Sequence, residues 1–276
     1  MNFKINKFIK ENISFKFTSI ISFLILLSGL IIILSPLIIV LYTSFFDNSS
    51  HPHFTLKYYQ EAWQKGRFLL AFANSSIVAI AVTFLQIITS VLAGYALARL
   101  EFQGKNFVLL LILATLVIPF QILVIPIFLI LKSGHLINTY WALILPTAAS
   151  GFGIFLMRQY FVTIPLELEQ AAALDGANRL QIIWHILFPL AKPAVITLFL
   201  FTFIGEWNDL FKPLVFTNNP NLITVQLSLA SFQEQFTSNW SLLMAGVVIA
   251  TIPVIFLFII GQKQFIQGVG TTGMKN

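Results

Sequence analysis

Charged residues are scarce in this chain, so the few that interrupt its apolar stretches are the first candidates for chemistry. Glu206 and Asp209 stand three residues apart, and Lys212 follows at the same spacing. Residues three apart lie close on a helix, so the three charges would share one face. An ionisable group at membrane depth is costly, and is kept where it pairs internally or faces a polar route. Two readings stay open. The cluster is either paired within itself at the outer interface, with Trp207 as an aromatic anchor, or Glu206, Asn208 and Asp209 line the path of a polar solute. Asn74, Gln86 and Gln121 add amide groups in two other apolar stretches. Such amides bond between helices or face cargo, and Asn74 and Gln121 are carried as path candidates.

Other patterns lead away from catalysis. His51 and His53 flank Pro52 with no acid cluster beside them, and the chain has no cysteine, so no metal ligand set is expected. No Ser/His/Asp or paired-carboxylate arrangement can be argued, and His185 has no catalytic partner in sequence, so no catalytic residue is expected. Gly268 to Gly273 fits GxGxxG, but it follows an apolar run rather than a strand and reads as a flexible tail. The phosphate-cradling pattern GxxxxGK[ST] is absent. Any ATP must therefore bind to another chain.

The elements that carry these residues follow from composition. Of 276 residues 58% are apolar and only 9% charged, with 29 Phe, too few charges to coat a water-facing surface. In hydrocarbon the backbone must satisfy its own hydrogen bonds, and period-2 alternation is missing, so helices are expected. A crossing needs roughly 20 residues. The charge-free intervals place spans at about 17–43, 68–98, 106–131, 138–158, 190–212 and 240–262, behind a short segment 1–16 and within one transmembrane domain 17–276. The fifth is the weakest, needing Lys192 to snorkel at one end. Pro119 and Pro126 are expected to kink the third span and Pro253 the sixth. Leu56, Tyr59 and Trp63 suit a short interfacial helix.

Lys and Arg outnumber acids 16 to 10, which in a soluble protein would suggest nucleic acid. Here their distribution matters more. Eleven of them, including Lys4, Arg99, Arg158, Arg179 and Lys263, fall on one side of the spans, and only Lys57, Lys65, Arg67, Lys132 and Lys212 on the other. That asymmetry makes the first side cytoplasmic, with both termini on it. The expectation is an all-α, polytopic membrane protein of six helices, with membrane lipid as its surroundings and no nucleic acid partner.

The segment 164–193 lies on the cytoplasmic side. Pro165 fits a first helical position, and Glu167 and Glu169 sit near the positive helix end. Ala171, Ala172 and Ala173 favour helix and allow another surface to approach. Gly176 after Asp175 can stop the helix in a left-handed turn. Leu180, Ile183, Trp184 and Leu187 then share one face, and Pro189 and Pro193 bracket the next span. This helix, turn and helix, held on two spans, would pass force from a cytoplasmic partner into the membrane.

At these residues the sequence resembles the EAA loop of ABC importer permeases. The match is Gln170-Ala171-Ala172, Asp175-Gly176-Ala177 and Pro189 through Pro193, with Gln170 where the family has Glu and Glu169 just before it. Tyr95-Ala96-Leu97-Ala98-Arg99, Trp207-Asn208-Asp209 and Gln264-Phe265-Ile266-Gln267-Gly268 extend the likeness to the smaller permease of maltose-type systems. The resemblance implies the type I importer permease architecture in the inner membrane of a prokaryote. It further implies a loop in which Glu169, Gln170, Ala171, Ala172, Asp175, Gly176 and Ala177 couple to an ATPase, and a transport subunit that is itself no enzyme. The implied partners are a second homologous permease, two ATPase subunits holding ATP and Mg, an extracytoplasmic solute-binding protein and a sugar. A permease for another polar solute such as a glycerol phosphate is the alternative. A membrane-embedded lipid-modifying enzyme would need a convergent His, Asp or Glu cluster, which the sequence does not offer.

Overall fold

A computed structural model describes residues 2–47, 53–235 and 239–273. Its regular structure is helical throughout: among the described residues no strand forms, only an isolated bridge between Phe46 and Phe54. Chain order gives α1 (Asn2–Phe45), α2 (Lys57–Lys65), α3 (Phe68–Arg99), α4 (Lys105–Thr115), α5 (Phe120–Ser133), α6 (Tyr140–Ile144) and α7 (Gly151–Thr163). Then follow α8 (Glu167–Leu174), α9 (Arg179–Ile182), α10 (Phe188–Leu190), α11 (Lys192–Trp207), α12 (Phe211–Phe216), α13 (Val225–Gln235) and α14 (Trp240–Gly273). The described residues fall into two compact units, one from Met1–Ala62 with Phe236–Val248 and one from Trp63–Gln235 with Ile249–Asn276.

Three helices are long and apolar enough to cross a membrane, and up to six crossings result if each of three bent helix pairs is one span. The breaks have local causes. The interval expected as one kinked helix over 106–131 is instead α4 and α5, meeting at 100°. Pro119 caps α5 with extended backbone, lacks an N–H to donate, and pushes Ile118 away from helical geometry. Pro126 and Pro253, by contrast, sit inside α5 and α14 without ending them. Around Pro146 the chain passes through a 3₁₀ turn, Leu145–Thr147, and restarts as α7, where Ser150 accepts a hydrogen bond from the Gly153 amide. The expected flexible tail is a correction: α14 carries helix through Gly268 as far as Gly273.

In the larger unit α3 is the central post, packed against α7 and α11. Glycine makes the approach possible. A Cβ on Gly94 would lie 2.8 Å from the Cβ of Met157, and one on Gly153 would lie 2.3 Å from the Ser90 hydroxyl. Without water to drive helices together, such close van der Waals contact is what holds spans in register. The core around it takes Val91 and Tyr95 from α3, Met157 and Phe161 from α7, and Leu187 and Leu198 from the following segments. In the smaller unit the Tyr59 and Ser44 hydroxyls lie 2.7 Å apart and the Ser241 hydroxyl donates to the Phe46 carbonyl at 2.8 Å. The short helix expected near Tyr59 is α2. From Ile21 to Tyr42, α1 leaves most of its large apolar side chains exposed, the pattern of a helix whose solvent is lipid.

A capped helix between α7 and α11 as the candidate coupling site

α8 begins two residues later than Pro165 suggests, at Glu167, because Leu166 supplies the first carbonyl, accepting from the Glu169 and Gln170 amides. It ends in a Schellman arrangement. The Ala177 amide donates to the Ala172 carbonyl at 2.9 Å and the Gly176 amide to the Ala173 carbonyl at 3.1 Å, with Gly176 at φ +88°. Asn178 then opens the next helix with a capping box: its side chain accepts from the Gln181 amide, and the Gln181 side chain accepts from the Asn178 amide. Two helices are thus closed off within five residues by their own backbone and side chains.

The next segment does not keep one helical register. Ile183–Leu187 forms a π turn, in which the Phe188 amide reaches back to Ile183. Pro189 has no amide to serve the His185 carbonyl, which is a local reason for the wider turn. The shift rearranges the expected apolar face. Ile182, Ile183 and Leu187 are buried and Trp184 half-buried, whereas Leu180 is exposed.

Exposure sorts the loop residues into two groups. Gln170, Ala171, Asp175 and Gly176 face outward, and Leu174 is 90% exposed. Ala172 and Ala177 pack on the core. Glu169 is buried at 6% and pairs with Arg99, the last residue of α3, whose Nη2 also donates to the Ile164 carbonyl at 2.7 Å. Asp175, Gly176, Ala177, Gln181, His185 and Ile186 line an open groove of about 340 Å³ beside α8.

The charged cluster near the end of α11 is paired internally. The helix stops at Trp207, so Glu206 and Asp209 do not share a helix face as expected. A turn brings them together instead, in which Asp209 Oδ1 accepts from the Phe211 and Lys212 amides. Lys212, expected among the outer-facing cations, is only 2% exposed. Its ammonium donates to Glu206 at 2.5 Å and to the Thr147 hydroxyl at 2.7 Å, and forms an ion pair with the Asp209 carboxylate at 3.3 Å.

Asn74 is likewise committed. Its amide donates to the Asn221 and Ile223 carbonyls, and its oxygen accepts from the Tyr140 hydroxyl. With both amide protons donated and 1% exposure, it ties α3 to α6 and to the 220–223 segment. Gln86 does the same between the Thr147 carbonyl and the Thr202 hydroxyl. Gln121 remains exposed on α5, and Asn208, also exposed, accepts from Gln226 at 3.1 Å. His53 contacts Asp47 in its loop, and His51 lies outside the described residues. No group of three His, Asp or Glu that could hold a metal ion occurs among the described residues.

Residues 86–271, which include the whole of this loop, match the family described as binding-protein-dependent transport system inner membrane component. The chain belongs to this family. It is 35% identical over 212 residues to the arabinooligosaccharides transport system permease protein AraQ of Halalkalibacterium halodurans, covering 77% of this chain and 76% of that one. It is 33% identical to the sulfoquinovosyl glycerol transport system permease protein SmoH of Agrobacterium fabrum, covering 80% and 78%. Among solved structures it superposes on a chain of a bacterial ABC transporter involved in the import of the acidic polysaccharide alginate. There the TM-score is 0.79 and the identity 26%, with 91% of this chain and 97% of that one covered. This inner-membrane transport component is therefore a multi-pass permease with the ABC importer permease fold.

Several residues that shape this permease escape sequence reasoning. Arg99 shows only as a cation after an apolar run, and its partner Glu169 lies seventy positions away. Thr147 and Thr202 look like ordinary helix residues until Lys212 and Gln86 are folded onto them. The Asn178 and Gln181 capping box was open to detection, since the spacing of an N-cap residue and a Gln three positions on is a local signal.

Proposed function

We propose that this chain is one half of the translocation pathway of an ATP-driven importer for a sugar or oligosaccharide. In this reading it crosses the membrane six times, each bent pair counting as one crossing, with both termini in the cytoplasm. A second, similar permease completes the pathway, and an extracytoplasmic solute-binding protein delivers the solute. Two ATPase subunits hold ATP and Mg and dock on the segment 164–193. The observation that carries the reading is the outward face of α8, with Gln170, Ala171, Leu174 and Asp175 exposed on a helix closed at Gly176 and set between α7 and α11. A short rigid element with an exposed leucine is suited to enter a cleft of another protein, and its seat on the spans gives movement somewhere to go.

The sugar assignment is supported by the relatives' named cargoes, an arabinooligosaccharide, a sulfoquinovosyl glycerol and an alginate polysaccharide, which share glycosidic or polyol chemistry. Closure of the ATPase pair on ATP would draw the two docking helices together and turn the cavity outward, and hydrolysis would reset it. Co-expression with the ATPase subunit tests the docking. Asp175→Lys and Gly176→Leu should abolish its co-purification while leaving the spans inserted. Normal co-purification and transport by both variants would contradict the reading.

A further inference from the structure

α8 is joined covalently to α7 and, through α9 and α10, to α11, but the geometry gives it a third attachment. Arg99 ends α3, the central post of the larger unit, and its guanidinium forks between two targets: the Glu169 carboxylate within α8 and the carbonyl of Ile164, which caps α7. The side chains are 12% and 7% exposed. Glu169 is thus unavailable to an incoming protein, although it borders the alanine stretch that the docking face presents.

We propose that Arg99 and Glu169 are positioning residues that make α3 a direct recipient of motion at α8. A displacement of α8 then moves the end of α3 without first travelling through α7 or α11. Three features support this. The pair is largely removed from water, so its attraction is screened less than that of a surface pair. The guanidinium is planar and presents fixed donors, so it fixes direction as well as distance. Gly94, just over one turn before Arg99, has α7 packed directly on it at Met157, so a pull at this end of α3 meets a tightly seated helix rather than a loose one.

The proposal rests on the docking reading, so the experiment separates the two. The complete transporter is assembled with its ATPase, and Leu69→Cys, at the opposite end of α3 and 73% exposed, gives this chain its only thiol, whose labelling is read on this chain's band after the subunits are separated on a denaturing gel. The readout is the change in maleimide labelling rate on adding Mg·ATP with orthovanadate. Arg99→Ala and Glu169→Ala should still retain the ATPase on purification, but the ATP-induced change should shrink by about tenfold, within the range that residues of a coupling network contribute. The exchanged pair Arg99→Glu with Glu169→Arg should recover much of it, which loss of folding would not allow.

If Arg99→Ala does not assemble, Arg99→Lys carries the test. A single ammonium lacks the fork, and a partial loss is expected. An unchanged response in these variants overturns the proposal, as does the lack of any ATP response at Leu69→Cys with Arg99 intact. Loss of the ATPase from the Glu169→Ala complex with its spans inserted also overturns it, because Glu169 would then belong to the docking face. Retention of the ATPase by Asp175→Lys and Gly176→Leu would remove the docking reading instead.

Discussion

Arg99 and Glu169, seventy positions apart, close on each other where α3 meets α8. Glu169 is buried and Arg99 only 12% exposed at its side chain, so removing Arg99 strands the carboxylate and removing Glu169 leaves the guanidinium only the Ile164 carbonyl. Loss of one partner from such a pair costs roughly 3–5 kcal/mol, whereas replacing both with apolar side chains of similar volume is often neutral. Arg99→Ala should accordingly lower the thermal midpoint of the solubilised protein, and the double change Arg99→Met with Glu169→Leu should restore most of it. A scan of tryptophan fluorescence against temperature measures both; equal midpoints for the single variant and the parent would contradict the burial argument.

Lys212 makes a second buried charge arrangement, with Glu206, Asp209 and Thr147 around its ammonium. Lys212→Met leaves two carboxylates facing each other without a cation, and should destabilise by about 3–5 kcal/mol. Thr147→Val removes only one neutral acceptor and should cost about 1 kcal/mol. Thermal midpoints in that order are expected, and the reverse order would show that the ammonium is not the centre of the cluster.

At Gly94 and Gly153, α3 and α7 pack with no room for a Cβ. A methyl on Gly94 meets Met157 Cβ at 2.8 Å and the Arg158 amide nitrogen at 3.0 Å, both on a rigid helix. Gly94→Ala should destabilise by about 1–3 kcal/mol. Gly29 serves as the control, because nothing lies within 4 Å of a Cβ built there. Alanine at Gly29, inside α1, should leave the midpoint unchanged or raise it slightly, and an equal loss at the two sites would refute the packing argument.

Gly176 adopts φ +88° with open space around it, so its requirement is conformational rather than steric. Gly176→Ala should weaken ATPase co-purification modestly, by about 1 kcal/mol of backbone strain, and Gly176→Asn less, because Asn tolerates the left-handed region. Binding that falls further with Asn than with Ala would contradict the turn geometry.

What the sequence discloses here is local. The Asp175-Gly176 stop is legible because a helix end is decided by a few adjacent residues, and the apolar intervals are legible because crossing a bilayer sets a length. The breaks at Pro119 and Pro146 were only half legible: proline signals a disturbance, but surrounding packing decides between a kink and a 100° turn. The arrangement of Glu206, Asp209 and Lys212 was misread as one helix face because nothing in the spacing reveals that α11 ends at Trp207. Asn74 was ambiguous for a similar reason, since its partners Tyr140, Asn221 and Ile223 are distant in sequence. The fork of Arg99 belongs to the same class. Long-range pairing is set by how helices stack, and period and propensity carry no information about it.

The side of the membrane on which α8 lies decides the account most directly. Leu174→Cys, 90% exposed at the end of α8, would be labelled with a membrane-impermeant maleimide in right-side-out cells and in inverted vesicles. Labelling in inverted vesicles alone, blocked when the ATPase subunit is present, is the expected result. Labelling from outside intact cells would place the helix out of reach of ATP and contradict the coupling assignment.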